Sequence, residues 1–128
     1  MFGTVWKWAG KKRNTGKNIG VPAWQIDTEL HNLCADCSAW IKHNVYPADE
    51  TAARFHHRLT VIHPFPNGNG RHARLMTDVV LVHLLGQPRF SWGSGNLVNP
   101  GECRKQYIEA LRAADRLDYV PLLAFVRS

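Results

Sequence analysis

The run His63-Pro64-Phe65-Pro66-Asn67-Gly68-Asn69-Gly70-Arg71-His72-Ala73-Arg74 sets a proton acceptor, a glycine-rich turn and two arginines within twelve residues. Glycines at 68 and 70 let the backbone turn through positive φ and bring main-chain N–H groups up to an oxyanion at the start of a helix. Arg71 and Arg74 project from neighbouring faces of that helix and can hold further phosphates as guanidinium forks. His63 lies across the turn, where an ordinary imidazole, with pKa about 6.5, can take a proton from a hydroxyl at neutral pH. This is the layout of a phosphate-handling active site.

Helices must position these groups. Before the turn, Ala52, Ala53, Phe55, Leu59 and Ile62 recur at helical spacing over 49–62, and Pro64 and Pro66 stop the pattern. After it, 71–85 is apolar on most sides, which predicts a helix central to the core that ends at Gly86 and Pro88. An earlier helix fits 27–43 through Leu30, Leu33, Cys34, Cys37, Trp40 and Ile41, with Asp27 or Thr28 as N-cap. Two more fit 102–114 and 119–126. Packing within helices accounts for Trp24 and Trp40. Phe2 to Trp8 reads as the end of a helix, and the basic, turn-rich stretch from Gly10 to Val21 as a loop or hairpin. The chain is therefore expected to be all-α, a helical bundle with one small β-hairpin.

At 128 residues the chain suffices for a single domain and core. With 45% apolar and 20% charged residues it has the composition of a soluble globular protein, and no apolar run approaches the roughly 18 residues that span a bilayer. No signal-peptide pattern follows Met1, so a cytoplasmic protein is expected. The net charge of +6 favours an acidic partner, whether a nucleotide, an acidic protein surface or nucleic acid, and does not choose among them. Three cysteines make no disulfide framework. The Cys34-x-x-Cys37 pair lies inside a helical pattern with no second pair, which favours thiols inside or at the edge of the core over a zinc or redox site. His56, His57, His72 and His83 follow no metal-ligand spacing and read as surface or core-edge residues.

The motif resembles the signature of the Fic family, His-x-Phe-x-Asp/Glu-Gly-Asn-Gly-Arg-x-x-Arg, at every defined position except Asn67, where the family usually has an acid. Val5-Trp6-Lys7-Trp8-Ala9-Gly10, Asn18-Ile19-Gly20 and Tyr107-Ile108-Glu109-Ala110-Leu111 also look like this family's flanking segments, nearest to the bacterial branch called mobile mystery protein B. The resemblance implies a Fic-like helical bundle with a β-hairpin flap, spanning 1–128 as one Fic domain and lacking N-terminal helices found in relatives. It implies a protein adenylyltransferase, a nucleotidyltransferase that moves AMP from ATP to a hydroxyl side chain of a target protein.

In that scheme His63 is the general base. Gly68, Asn69 and Gly70 meet the α-phosphate, and Arg71 and Arg74 hold the leaving pyrophosphate. Tyr107 is the candidate wall of the adenine pocket. The flap falls by position at Arg13 to Ile26, with Ile19 as the apolar clamp on the target. The family's acid ligates Mg²⁺ bridging the phosphates, so Asn67 offers only a weak neutral oxygen in its place. Nothing in residues 1–128 matches the family's inhibitory Ser/Thr-x-x-x-Glu-Gly/Asn motif, so its glutamate would come from residues outside this sequence or from a separate antitoxin or inhibitory chain, which leaves room for a toxin role. Nucleic acid and membrane are not expected as partners. The alternatives are a weak or inactive nucleotide-binding Fic module, or phosphoryl transfer of the Doc type, against which Gly70 argues because that branch has lysine there. For Arg74 the structural alternative is a salt bridge to Asp78, one helical turn on.

Overall fold

A computed structural model describes residues 20–128. After a 3₁₀ turn at Ala23–Gln25, five α-helices follow: α1 (Ile26–Lys42), α2 (Ala48–Ile62), α3 (Asn69–Val79), α4 (Pro100–Asp115) and α5 (Val120–Val126). A π-helical turn, Val80–Leu84, continues α3 up to Gly86, whose φ of 63° ends it. No strand occurs among the described residues, so the all-α expectation stands. The flap expected at 13–26 lies outside the described residues up to 19, and its described end is a bend, the 3₁₀ turn and the first residue of α1. Helix α1 starts one residue earlier than expected, behind Gln25, and no side chain caps it; Asp27 and Glu29 instead sit in its first turn, where their charge favours the helix dipole. Helix α4 has its cap: Asn99 accepts from Glu102 N–H at 2.8 Å, and Pro100 opens the helix.

The middle layer is α2, which buries two faces. Phe55, Leu59 and Ile62 pack with Ile26, Leu30, Leu33 and Cys37 of α1 and with Ala73, Met76 and Val80. Ala52 and Ala53, on the other side, meet Ala110 and Ala114 of α4 and Leu122, Phe125 and Val126 of α5. Small residues on that second face let α5 approach. The stretch 71–85 is less enclosed than its composition predicts, since Leu75, Val82 and Leu84 are exposed. Trp24, expected to pack, is 80% exposed on the 3₁₀ turn.

The histidines correct the expectation further. His56 and His57 on α2 and His72 on α3 are buried polar residues, and of these four only His83 is exposed. They were hard to foresee because burying an imidazole requires partners from distant segments. The thiols behave as expected: Cys37 is buried, Cys34 is half-buried, neither is in a disulfide, and burial pushes the Cys37 thiol up to about 12.

Candidate active site

Helix α2 ends at His63, which closes it in the left-handed region with φ 52° and ψ 61° while its N–H reaches Leu59 O at 3.2 Å. The chain then drops Pro64 and Phe65 into the protein, and the Phe65 ring meets His72 edge-on at 4.6 Å. Burial lowers the His72 pKa from 6.5 to about 4, so that imidazole packs as a neutral ring.

The turn between Phe65 and α3 is tied by one side chain. Asn69 Oδ1 accepts from Phe65 N–H at 2.9 Å, and Asn69 Nδ2 donates to Phe65 O at 2.7 Å. Gly68, at φ 72°, is the N-cap of α3. Asn69, Gly70 and Arg71 N–H thus begin a helix whose dipole places about half a positive charge at that end. The sequence put Asn69 at the α-phosphate; one N–H and one lone pair of its amide hold the loop, and the residue lines the cavity beside it.

These parts converge on one cavity of about 340 Å³. His63, Gly68, Asn69, Gly70, Arg71, Arg74 and Tyr107, all expected at the site, line it. Asn67 does not; it is exposed. Arg13 and Ile19 lie outside the described residues. Sequence reasoning missed Arg104, which lines the cavity together with Thr60, Ile108 and Leu111. Its only signal was helical register, since Arg104, Ile108 and Leu111 share the face of α4 that carries Tyr107. Among the described residues three arginines and no carboxylate line this cavity, which suits a polyanion, with an apolar side from Ile108 and Leu111. A larger cavity of about 440 Å³ is lined, among the described residues, by no basic side chain and one carboxylate, Glu109.

Arg74 does not depend on Asp78. The Asp78 carboxylate instead accepts from Phe90 N–H and Trp92 Nε1–H, each at 3.2 Å, pinning the segment after α3. The Arg74 guanidinium lies 5.7 Å from the centre of the Tyr107 ring. A second cavity of about 290 Å³ shares Arg74, Arg104 and Tyr107 with the first and adds Trp92, Cys103 and Phe125, so Tyr107 stands between a cationic and an aromatic hollow. Among the described residues no group of three or more His, Cys, Asp or Glu could hold a metal ion. With Asn67 neutral, exposed and outside the cavity lining, the described residues do not fit a protein-held Mg²⁺.

The Fic/DOC family model matches residues 5–81. The chain belongs to the Fic/DOC family. It is 29% identical over 121 residues to protein adenylyltransferase fic-1 of Caenorhabditis briggsae, covering 92% of this chain and 22% of that protein. It is 35% identical over 77 residues to protein adenylyltransferase Fic of Nematostella vectensis, covering 60% of this chain and 16% of that one. Among solved structures, Fic-1 from C. elegans superposes with a TM-score of 0.70 at 28% identity over 93% of this chain and 33% of that one. A Fic domain containing signaling protein from Bacteroides thetaiotaomicron gives 0.73 at 21% identity, covering 92% of this chain and 50% of that one, a likeness of fold. This chain therefore spans about a fifth of these curated relatives' length, and the part it spans is the Fic fold with its motif.

Proposed function

We propose that this Fic/DOC chain is a protein adenylyltransferase, transferring AMP from ATP to a hydroxyl side chain of a target protein. The observation that carries the reading is the cavity where His63, the amino end of α3 and three arginines meet with no carboxylate among the described residues that line it. In this reading the α-phosphate sits against the N–H groups of residues 69–71, and Arg71, Arg74 and Arg104 hold the β- and γ-phosphates. His63 takes the proton of the target hydroxyl as its oxygen forms the bond to the α-phosphorus. The bond to the β-phosphate breaks, and pyrophosphate leaves with its charge held by the arginines. Tyr107, Ile108 and Leu111 are the apolar surfaces offered to adenine, and Arg13 and Ile19 belong to the flap that aligns the target.

Finer parts of the reading rest on the sequence. Nearness to the mobile mystery protein B branch follows from the flanking segments, and a toxin role held in check by an antitoxin chain would supply the inhibitory glutamate. Cytoplasmic action fits the abundance of ATP there; among the described residues no helix is long and apolar enough to cross a membrane. Mg²⁺ would travel with the nucleotide, held by its phosphates and water. Incubation with α-labelled and γ-labelled ATP and a cell lysate tests the activity. Label from the α-position on protein is expected; label from the γ-position would make this a phosphoryl transferase of the Doc type, and neither would leave a binding module.

A further inference from the structure

His56 lies on the middle helix, fully buried, and does not line the cavity. Its hydrogen bonds fix its tautomer. Thr77 Oγ1 donates its one proton to Ala73 O at 2.7 Å, so toward His56 Nδ1, 3.2 Å away, it can only accept. Nδ1 therefore carries the proton, and Nε2 is a bare acceptor. The Tyr107 hydroxyl, 2.7 Å from Nε2, must donate to it. That leaves the phenolic oxygen to accept from elsewhere, and the Arg74 guanidinium is the cation beside it, 5.7 Å from the centre of the Tyr107 ring. The imidazole face is covered by Trp92 at 4.6 Å. Burial lowers the His56 pKa from 6.5 to about 3, which keeps the ring neutral and the order of donors unchanged across physiological pH.

Arg74 also has free space on its other side because residue 70 is glycine: a Cβ there would stand 3.2 Å from Arg74 Nη1. The guanidinium is thus confined by Tyr107 and admitted by Gly70, in a chain of bonds running from Ala73 O through Thr77, His56 and Tyr107. We propose that His56 is a positioning residue that sets the orientation of Arg74 in the cavity through the Tyr107 hydroxyl, without touching ligand itself. That Arg74 then meets the far phosphates of ATP rests on the proposed function; that His56 holds Arg74 does not.

The test uses the whole chain, with arginine side-chain NMR beside ATP and AMP binding isotherms. The Arg74 Nε–H resonance is identified by its loss in Arg74→Lys. Tyr107→Phe keeps the ring and its packing while cutting the chain of bonds. It should shift or broaden that resonance and weaken ATP about tenfold with AMP changed less than about twofold, the size of one charge-assisted hydrogen bond. His56→Leu should do the same, His56→Gln should recover part of the ATP affinity through its amide oxygen, and on an Arg74→Ala background none of these changes should alter the ATP to AMP ratio. A resonance unmoved in Tyr107→Phe overturns the proposal, as does an unchanged ATP to AMP ratio where the wild type binds ATP. A His56 variant that only lowers Tm is structural and overturns it as well. Should the wild-type chain bind no ATP, the proposed function falls, and the resonance alone decides whether His56 holds Arg74.

Discussion

His63 holds a left-handed backbone at φ 52° that costs a residue with a Cβ about 1 kcal/mol. His63→Ala keeps both that cost and the N–H bond to Leu59, so it removes the imidazole alone. Transfer is expected to fall by about 10²- to 10⁴-fold while ATP affinity stays within about twofold; equal loss of both would make His63 a structural residue. Arg74→Ala should weaken ATP far more than AMP with the melting temperature nearly unchanged, because Asp78 is engaged by Phe90 and Trp92 and stands to lose no partner. Two isotherms beside a melting curve check this, and equal losses for both nucleotides would reverse the orientation assigned to the phosphates. At Asn67 the turn has a neutral oxygen facing solvent, so Asn67→Asp should tighten Mg²⁺ binding in the presence of ATP and speed transfer. A metal titration of both forms that superimposes would show that the residue at 67 does not govern the metal.

Elements decide how much of this could be read without coordinates. Helix α2 was legible because Ala52, Ala53, Phe55, Leu59 and Ile62 carry a 3.6-residue period, and its end was legible from Pro64 and Pro66. That α2 also buries His56 and His57 was not, since their partners Thr77, Tyr107 and Asp115 come from α3 and α4, and no local pattern encodes such pairs. The motif itself was legible because the turn and the start of α3 are contiguous in sequence. Arg104 was not, because packing of α4 against the bundle brings it to the cavity from thirty residues away. Asn69 shows a third case: its type was right for the turn, but its amide closes the loop onto Phe65. Gly70 tests the geometry of this element. In Gly70→Ala the new methyl would press on Arg74 Nη1 from 3.2 Å, and a flexible guanidinium can move aside at little cost to the fold. The expected outcome is a Tm shift of less than about 2 °C, consistent with a few tenths of a kcal/mol, together with ATP weakened several-fold. A large Tm loss with ATP affinity intact would mean that the backbone, and not Arg74, gives way.

Across the whole molecule the basic charge and the buried imidazoles act at different ends of the pH scale. The net charge of +6 leaves His neutral, and protonation at low pH only adds to it. His56 and His72 have folded pKa values of about 3 and about 4, both lowered from 6.5 by burial. The unfolded chain therefore takes up protons near pH 6.5 that the folded chain refuses, and stability rises with pH wherever the unfolded state binds more protons. The stabilisation is fully present above about pH 6.5. It is lost progressively as pH falls, down to about 4 for His72 and about 3 for His56. Thermal melting between pH 7.5 and 4.5, a range mostly above carboxylate titration, should show a constant Tm at the upper end and a falling one below 6.5. In His56→Gln the decline should be shallower, since one of the two refusing groups is gone while the acceptor for Tyr107 is kept. Guanidinium forks do not titrate in this range, so the arginine cavity adds nothing to the slope. A flat Tm from 6.5 to 4.5 in the wild type would mean that the fold accepts those protons. His56 Nε2 could then no longer be the acceptor for the Tyr107 hydroxyl, and the order of donors that sets Arg74 would have to run the other way.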